Sequence, residues 1–362
     1  MWRFAELLGI DPSVSVSLGE GDTPLLNATC SRLGQPGGPT ASFKAEFQNP
    51  TGSFKDRIAA MSSAIIARDG LVGAIGTSSG NGGAAIAAYG ARAGYPVILF
   101  TISGIVDGKL QQILTHGATA NIVAELGSAT GGALDAAESI AAMAAEQGWL
   151  AFLTGARYAP EAMRGAETIA FELIEQRATA TAIYVPIGGG GLLASIWRGY
   201  RRMGVGVGAG QEIPRLIGVQ PTGCPTLNRA LEGKIEPLDE ALTTTISGLQ
   251  VPVLFDFDAT TAITDTGGHV VEVTDEQAWD AQRILARQEG LFVEPAGATA
   301  LAGVLADLEA HRIAADDDVI VILSGAGHKD AVSAARLGVD NPPRHIKSGD
   351  IASVLAEFEV SP

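Results

Sequence analysis

The chain has 362 residues and a formal net charge of −16 at pH 7, from 40 Asp and Glu against 24 Lys and Arg. That acidic balance argues against nucleic acid as a partner, which needs a basic footprint. Cys30 and Cys224 stand far apart with no CxxC pair, which excludes a disulfide scaffold and a cysteine-rich zinc site.

In chain order, apolar runs alternate with alanine-rich helical patterns. Strands are expected at 42–47, 72–77, 96–101, 118–123 and 150–153, with helices at 56–68, 83–93, 106–116 and 133–147 among them. A helix at 163–175 leads to a strand at 182–186, a helix at 192–203 and strands at 215–219 and 270–273. Helices at 276–288 and 296–309 precede a last strand at 319–324, and Asn341-Pro342-Pro343 breaks the chain before a final helix at 350–357. Segments 34–39 and 204–210, rich in glycine, read as loops. This alternation predicts a parallel α/β architecture, in which ligands bind beyond the carboxyl ends of the strands. No apolar h-region follows a basic start, and no run of about 18 apolar residues occurs. A soluble cytoplasmic protein with no membrane partner is therefore expected.

Four strand ends carry unusual turns, among 46 glycines in all. Gly188, Gly189, Gly190 and Gly191 follow a strand and open a helix, where uncovered backbone N–H groups form a ready phosphate site. A bare tight turn is the alternative. Gly189, Gly191 and Ala194 also fit GxGxxA, but the next strand ends at Gln220-Pro221 without the acid a dinucleotide ribose would need. Gly76-Thr77-Ser78-Ser79-Gly80 matches the GxSxG elbow of hydrolases, with His269 or His328 as partner. The favoured alternative is that Ser78, Ser79, Gly80 and Asn81 hold a carboxylate at a helix start. Ser53 and Asp56 form the pattern of a capping box. Lys55 between them opposes the helix dipole, which disfavours its ammonium form and suits an amine acting as nucleophile or base. Ser324-Gly325-Ala326-Gly327 ends the apolar strand at 319–324.

Together these turns are more specific than any one. NPTGSFKDR around Lys55 resembles the lysine motif of the pyridoxal-phosphate enzymes of the tryptophan-synthase-β fold (fold type II), and the Phe54 form is most similar to threonine synthases. LGEGDTPL (18–25), SSGNGG (78–83), GGGGL (188–192), EPAGA (294–298) and SGAGHKD (324–330) agree in order and spacing. The resemblance implies a two-lobed parallel α/β enzyme. Residues 1–56 and 152–362 would make a large cofactor-binding domain, and 57–151 a small mobile one. It implies pyridoxal 5'-phosphate as cofactor, no metal, a small amino-acid substrate and a homodimer. Lys55 would form the Schiff base and carry protons. Gly188, Gly189, Gly190, Gly191 and Leu192 would hold the cofactor phosphate, Asn81 its ring hydroxyl and Ser324 its pyridine nitrogen. Ser78, Ser79, Gly80, Asn81 and Gly82 would take the substrate carboxylate. The implied reaction is that of a threonine synthase, eliminating phosphate from O-phosphohomoserine and adding water.

The substrate side departs from that family. Threonine synthases resemble NSxNPxRxEGQKT where this chain has residues 156–168, and the polar pair and the arginine are missing. Gly189 and Leu192 replace asparagines, and Gly82 replaces a threonine. Arg157, Arg164 or Lys109 could supply a displaced anion site, or be surface charges. The alternative is an ammonia-lyase of the serine/threonine dehydratase kind, or a β-replacement enzyme on a small amino acid such as phosphoserine.

Overall fold

The computed structural model describes residues 1–29, 33, 38–78, 80–124, 126, 132–206, 212–238, 241–339 and 342–356. The strands are β1 (Leu25–Asn27), β2 (Thr40–Lys44), β3 (Ala74–Thr77), β4 (Val97–Ile102), β5 (Thr119–Val123), β6 (Leu150–Phe152), β7 (Ala182–Pro186), β8 (Arg215–Pro221), β9 (Val270–Val273) and β10 (Asp318–Ile322). The helices in the first half are α1 (Ala5–Leu8), α2 (Lys55–Asp69), α3 (Asn81–Ala93), α4 (Asp107–Thr115), α5 (Gly132–Gln147) and α6 (Pro160–Gln176). In the second half they are α7 (Gly191–Arg202), α8 (Thr226–Leu231), α9 (Asp258–Asp265), α10 (Asp275–Gln288), α11 (Pro295–Glu309), α12 (Ala331–Gly338) and α13 (Ile351–Ala356). None of the described helices is long and apolar enough to cross a membrane.

Two sheets result. One has six strands in the order β1-β2-β10-β7-β8-β9, parallel except for β1, which pairs antiparallel with β2. The other has four parallel strands in the order β5-β4-β3-β6. Every residue of β7 and β10 is buried, as expected of parallel strands covered on both faces, and this is why both read as continuous apolar runs.

All nine expected strands form, with ends shifted by up to three residues. The strand expected at 42–47 stops at Lys44, because the chain turns into a short 3-10 helix, Glu46–Gln48, that aims Glu46 inward. β1, α1, α8, α9 and α12 were not expected; at three to eight residues they are too short for periodicity to reveal. The final helix is present as α13, while residue 357 lies outside the described residues, as do most of the loops expected at 34–39 and 204–210.

A buried ion network fixes the start of α2. Arg57 donates to both oxygens of Glu46 (2.8 and 2.7 Å) and both of Glu172 (2.6 and 2.7 Å), and Lys44 Nζ lies 2.6 Å from Glu172 Oε2. Two cations thus face two carboxylates in the interior, and their neighbours hold Glu172 well below the usual carboxylate range despite burial. The LGEGDTPL segment is tied to the same network, through Asp22 N to Glu172 (2.7 Å) and Thr23 Oγ1 to Glu46 (2.6 Å).

Candidate active site

A cavity of about 200 Å³ opens where β3, β7 and β10 end, between the two sheets. Parallel strands leave this end to loops and helix N-termini, which is where α/β folds place ligands. Lys55, Ser78, Asn81, Gly82, the glycines 188–191, Leu192 and Ser324 all line it. Of the expected site residues, Gly80 lies behind the wall, and Ser79 falls outside the described residues.

Lys55 is the first residue of α2, and the capping box expected before it does not form. Asp56 turns back to Thr51, accepting from its N–H (3.1 Å) and its hydroxyl (2.8 Å), and Ser53 Oγ stays buried without a partner. The Lys55 ammonium faces the Phe54 ring at 4.5 Å and, among the described residues, has no carboxylate partner. Burial pushes its pKa down to about 8. Desolvation rather than the helix dipole is therefore what frees the amine.

The loop before α3 is held by Ser78, whose Oγ accepts from Gly80 N (3.1 Å) and Gly83 N (2.7 Å). That satisfies two of the helix's orphan donors and leaves the hydroxyl proton free to point outward. It also removes the hydrolase reading: no described histidine bonds Ser78, and His269 Nε2 lies instead against Asp307 at 2.8 Å.

Opposite, the four-glycine turn leads from β7 into α7. Gly190 has φ +85°, and a Cβ there would sit 2.8 Å from Leu254 Cδ1 and 2.9 Å from Asp256 O. A Cβ on Gly191 would meet Met163 Cε at 2.8 Å and Thr154 O at 2.9 Å. The turn is therefore packed from behind by protein, with the unpaired first-turn N–H groups of α7 at the cavity. Gly189 O takes the N–H groups of Phe255 (3.0 Å) and Asp256 (3.1 Å), which fixes the loop that closes this end.

Two further observations match an amine-binding, phosphate-bearing aromatic cofactor. Asn81 Oδ1 is buried at the cavity with no partner. Ser324 is buried at the end of β10, its carbonyl bonded to Phe54 N (3.1 Å) and its side chain on the cavity. An amine of lowered pKa and an N–H cradle for a phosphate face the same space.

The cations considered for a substrate anion do not reach this space. Arg157 is half exposed and paired with Glu138 at 2.9 Å, and Arg164 donates to Leu8 O at 3.3 Å. Lys109 is buried, 2.9 Å from Glu294 Oε2. Among the described lining residues, the charged side chains are Lys55 and Glu294. Glu294 opens the EPAGA motif, but nothing in the sequence signalled that it faces the site. Ile102, Leu126, Leu249, Val251 and Phe255, which also line the cavity, belong to no motif and were likewise missed.

Comparison with known proteins agrees with this geometry. The model of the pyridoxal-phosphate dependent enzymes matches residues 16–325. The chain is 34% identical over 351 residues to a threonine synthase of Methanocaldococcus jannaschii, covering 93% of this chain and 82% of the relative. It is 32% identical over 363 residues to a threonine synthase of Bacillus sp. (strain ULM1), covering 99% and 95%. Its fold is similar to the processed form of threonine deaminase isoform 2 from Solanum lycopersicum, with a TM-score of 0.72 at 21% identity, over 92% of this chain and 91% of that one. The chain belongs to the pyridoxal-phosphate-dependent enzymes, as a lyase of fold type II whose cofactor is pyridoxal 5'-phosphate.

Proposed function

We propose that this lyase acts on a small hydroxy amino acid of the serine or threonine kind, expelling water from Cβ and releasing a 2-keto acid and ammonium. The observation that carries the reading is the lining of the cavity: among its described residues Lys55 and Glu294 are the charged side chains, and Ile102, Leu126, Leu249, Val251 and Phe255 line it as well. A phosphate ester placed there would lose its hydration with no guanidinium among the described lining residues to replace it, and charge-assisted bonds are the ones that offset such a loss. An uncharged hydroxyl-bearing side chain of one or two carbons, as in serine or threonine, meets no such cost.

Pyridoxal phosphate, when bound, supplies an aldehyde that takes an amine and a ring that withdraws electrons from Cα. Lys55 would be the amine that holds this aldehyde. With the substrate amine in its place, Lys55 Nζ would be free to take the Cα proton, and a pKa of about 8 suits it to both accept and return one near neutral pH. The N–H groups opening α3 and the free proton of Ser78 hold the substrate carboxylate. Ser324 would offer the ring nitrogen a hydroxyl rather than a carboxylate. That would keep the nitrogen largely unprotonated and the electron withdrawal moderate, which favours elimination over transamination.

A second reading, a threonine synthase acting on O-phosphohomoserine, is favoured by 32–34% identity to threonine synthases over most of the chain. The holoenzyme incubated with serine, threonine, O-phosphoserine, diaminopropionate and O-phosphohomoserine separates the two. Keto acid and ammonium from serine or threonine are expected. Threonine and inorganic phosphate from O-phosphohomoserine, with no turnover of the hydroxy amino acids, would replace the first reading by the second.

A further inference from the structure

Glu294 has no part in the chemistry described so far, yet it is a buried carboxylate on the wall of the cavity. Its Oε1 accepts from Asn81 Nδ2 at 2.5 Å. Its Oε2 lies 2.9 Å from Lys109 Nζ, an ion pair between two buried groups. Lys109 also donates to Ser247 Oγ at 3.2 Å. Lys329, buried nearby with its Nζ on Thr51 O at 2.7 Å, is a second cation facing Glu294. Lys109 and Lys329 thus both oppose the charge of Glu294, and Lys329 also faces the buried carboxylate of Asp56, which offsets part of the penalty of burial.

The arrangement joins both sheets' helices. Asn81 opens α3 and Lys109 lies in α4, whereas Glu294 immediately precedes α11. The packing leaves it no slack. A Cβ on Gly80 would lie 2.3 Å from Lys109 Cδ, and one on Gly325 would lie 2.1 Å from Glu294 Oε1 and 3.2 Å from Asn81 Nδ2. The aliphatic stem of Lys109 thus floors the turn at Gly80, and the Gly325 backbone presses Glu294 against Asn81. A carboxylate beside an amide also decides which way the amide faces: nitrogen toward Glu294, oxygen away. That leaves Asn81 Oδ1 buried and unpartnered, on a residue that lines the cavity.

We propose that Glu294, anchored by Lys109, is a positioning residue that fixes the Asn81 amide for contact with the cofactor. The proposal rests on the reading of this cavity as the pyridoxal-phosphate site. It makes one function of residues from three motifs, SSGNGG, EPAGA and SGAGHKD, together with Lys109.

If Glu294 acts through Asn81, the two substitutions are not additive. The test is a cycle of Asn81→Ala, Glu294→Ala and the double variant. The readout is the dissociation constant of pyridoxal phosphate, from fluorescence titration of each apo protein, with thermal melting of the same samples. Each single change is expected to weaken binding about tenfold, the scale of one hydrogen bond to a charged group. The double variant should be no weaker than the worse single one. Lys109→Met should weaken binding in the wild-type background and leave it unchanged where Asn81 is already alanine. Should Glu294→Ala not fold, Glu294→Gln runs the same cycle, because it keeps the volume and offers Lys109 an amide oxygen. Independent effects that multiply to about a hundredfold would overturn the proposal, as would melting points that fall with no change in binding. A wild-type protein that takes up no pyridoxal phosphate overturns the reading of the cavity itself, a result distinguishable from either.

Discussion

The ionisation of Lys55 yields a quantitative expectation. An exposed lysine has a pKa near 10.4, whereas burial at the head of α2 lowers this one to about 8. At pH 7 the free-amine fraction is then about one in ten instead of about one in 2,500, an advantage of about 250-fold for attack on an aldehyde. The sign follows from the depressed value. Lys55 is mostly protonated below pH 8, its free amine rises about tenfold per pH unit up to that point, and above it the gain levels off. Covalent capture of pyridoxal phosphate by the apo protein, followed by stopped-flow absorbance from pH 6 to 11, measures this directly. Dividing each rate by that of Nα-acetyl-lysine in the same buffer cancels the cofactor's own titrations. The ratio should be largest at neutral pH and fall between pH 8 and 10.5, as the reference amine also becomes free. A ratio independent of pH would refute the burial argument. Undiminished capture by Lys55→Ala would show that another amine does the work.

Three more outcomes are expected. Ser324→Asp should protonate the ring nitrogen and lower kcat for elimination about tenfold or more, since an acidic partner stabilises the charged pyridine; unchanged kinetics would remove Ser324 from that role. Gly190→Ala puts a side chain at φ +85° and within 2.9 Å of Leu254 and Asp256. It should cost about 1–3 kcal/mol in urea unfolding and weaken cofactor binding, and a neutral result would mean that the turn relaxes freely. Glu172→Ala leaves Arg57 and Lys44 short of a shared counter-charge and should cost about 3–5 kcal/mol, read by the same unfolding assay. In the wild type, the depressed Glu172 carboxyl contributes stability above its unfolded pKa that is lost as pH falls, so acid unfolding should begin at higher pH once the network is broken.

Much of this molecule was legible in the chain. Short apolar runs and alanine-rich helical patterns located the nine strands and the long helices, because burial of one face or of both leaves a local mark. The four turns at the strand ends were legible too, since glycine, serine and lysine stand where backbone must approach a ligand, and the resemblance of their order to that of a known family implied the cofactor. What faces what was not. Glu294 and Lys109 are separated by 185 positions, and only the meeting of α4 with the start of α11 makes them a pair. The apolar wall comes from Ile102, Leu126 and the 249–255 loop, which no periodicity links. Arg157 and Arg164 lie in the 156–168 segment and were candidates for a displaced anion site, yet their loop and helix turn them to Glu138 and to Leu8. Even Lys55 shows the division. Its place at a helix start could be read from the sequence, but the lowering of its pKa comes from desolvation. Local sequence records which residues must turn or be buried. The side chains that share a cavity, and the dielectric they share, come from contacts distant in sequence, and those exist only once the sheets and helices have packed.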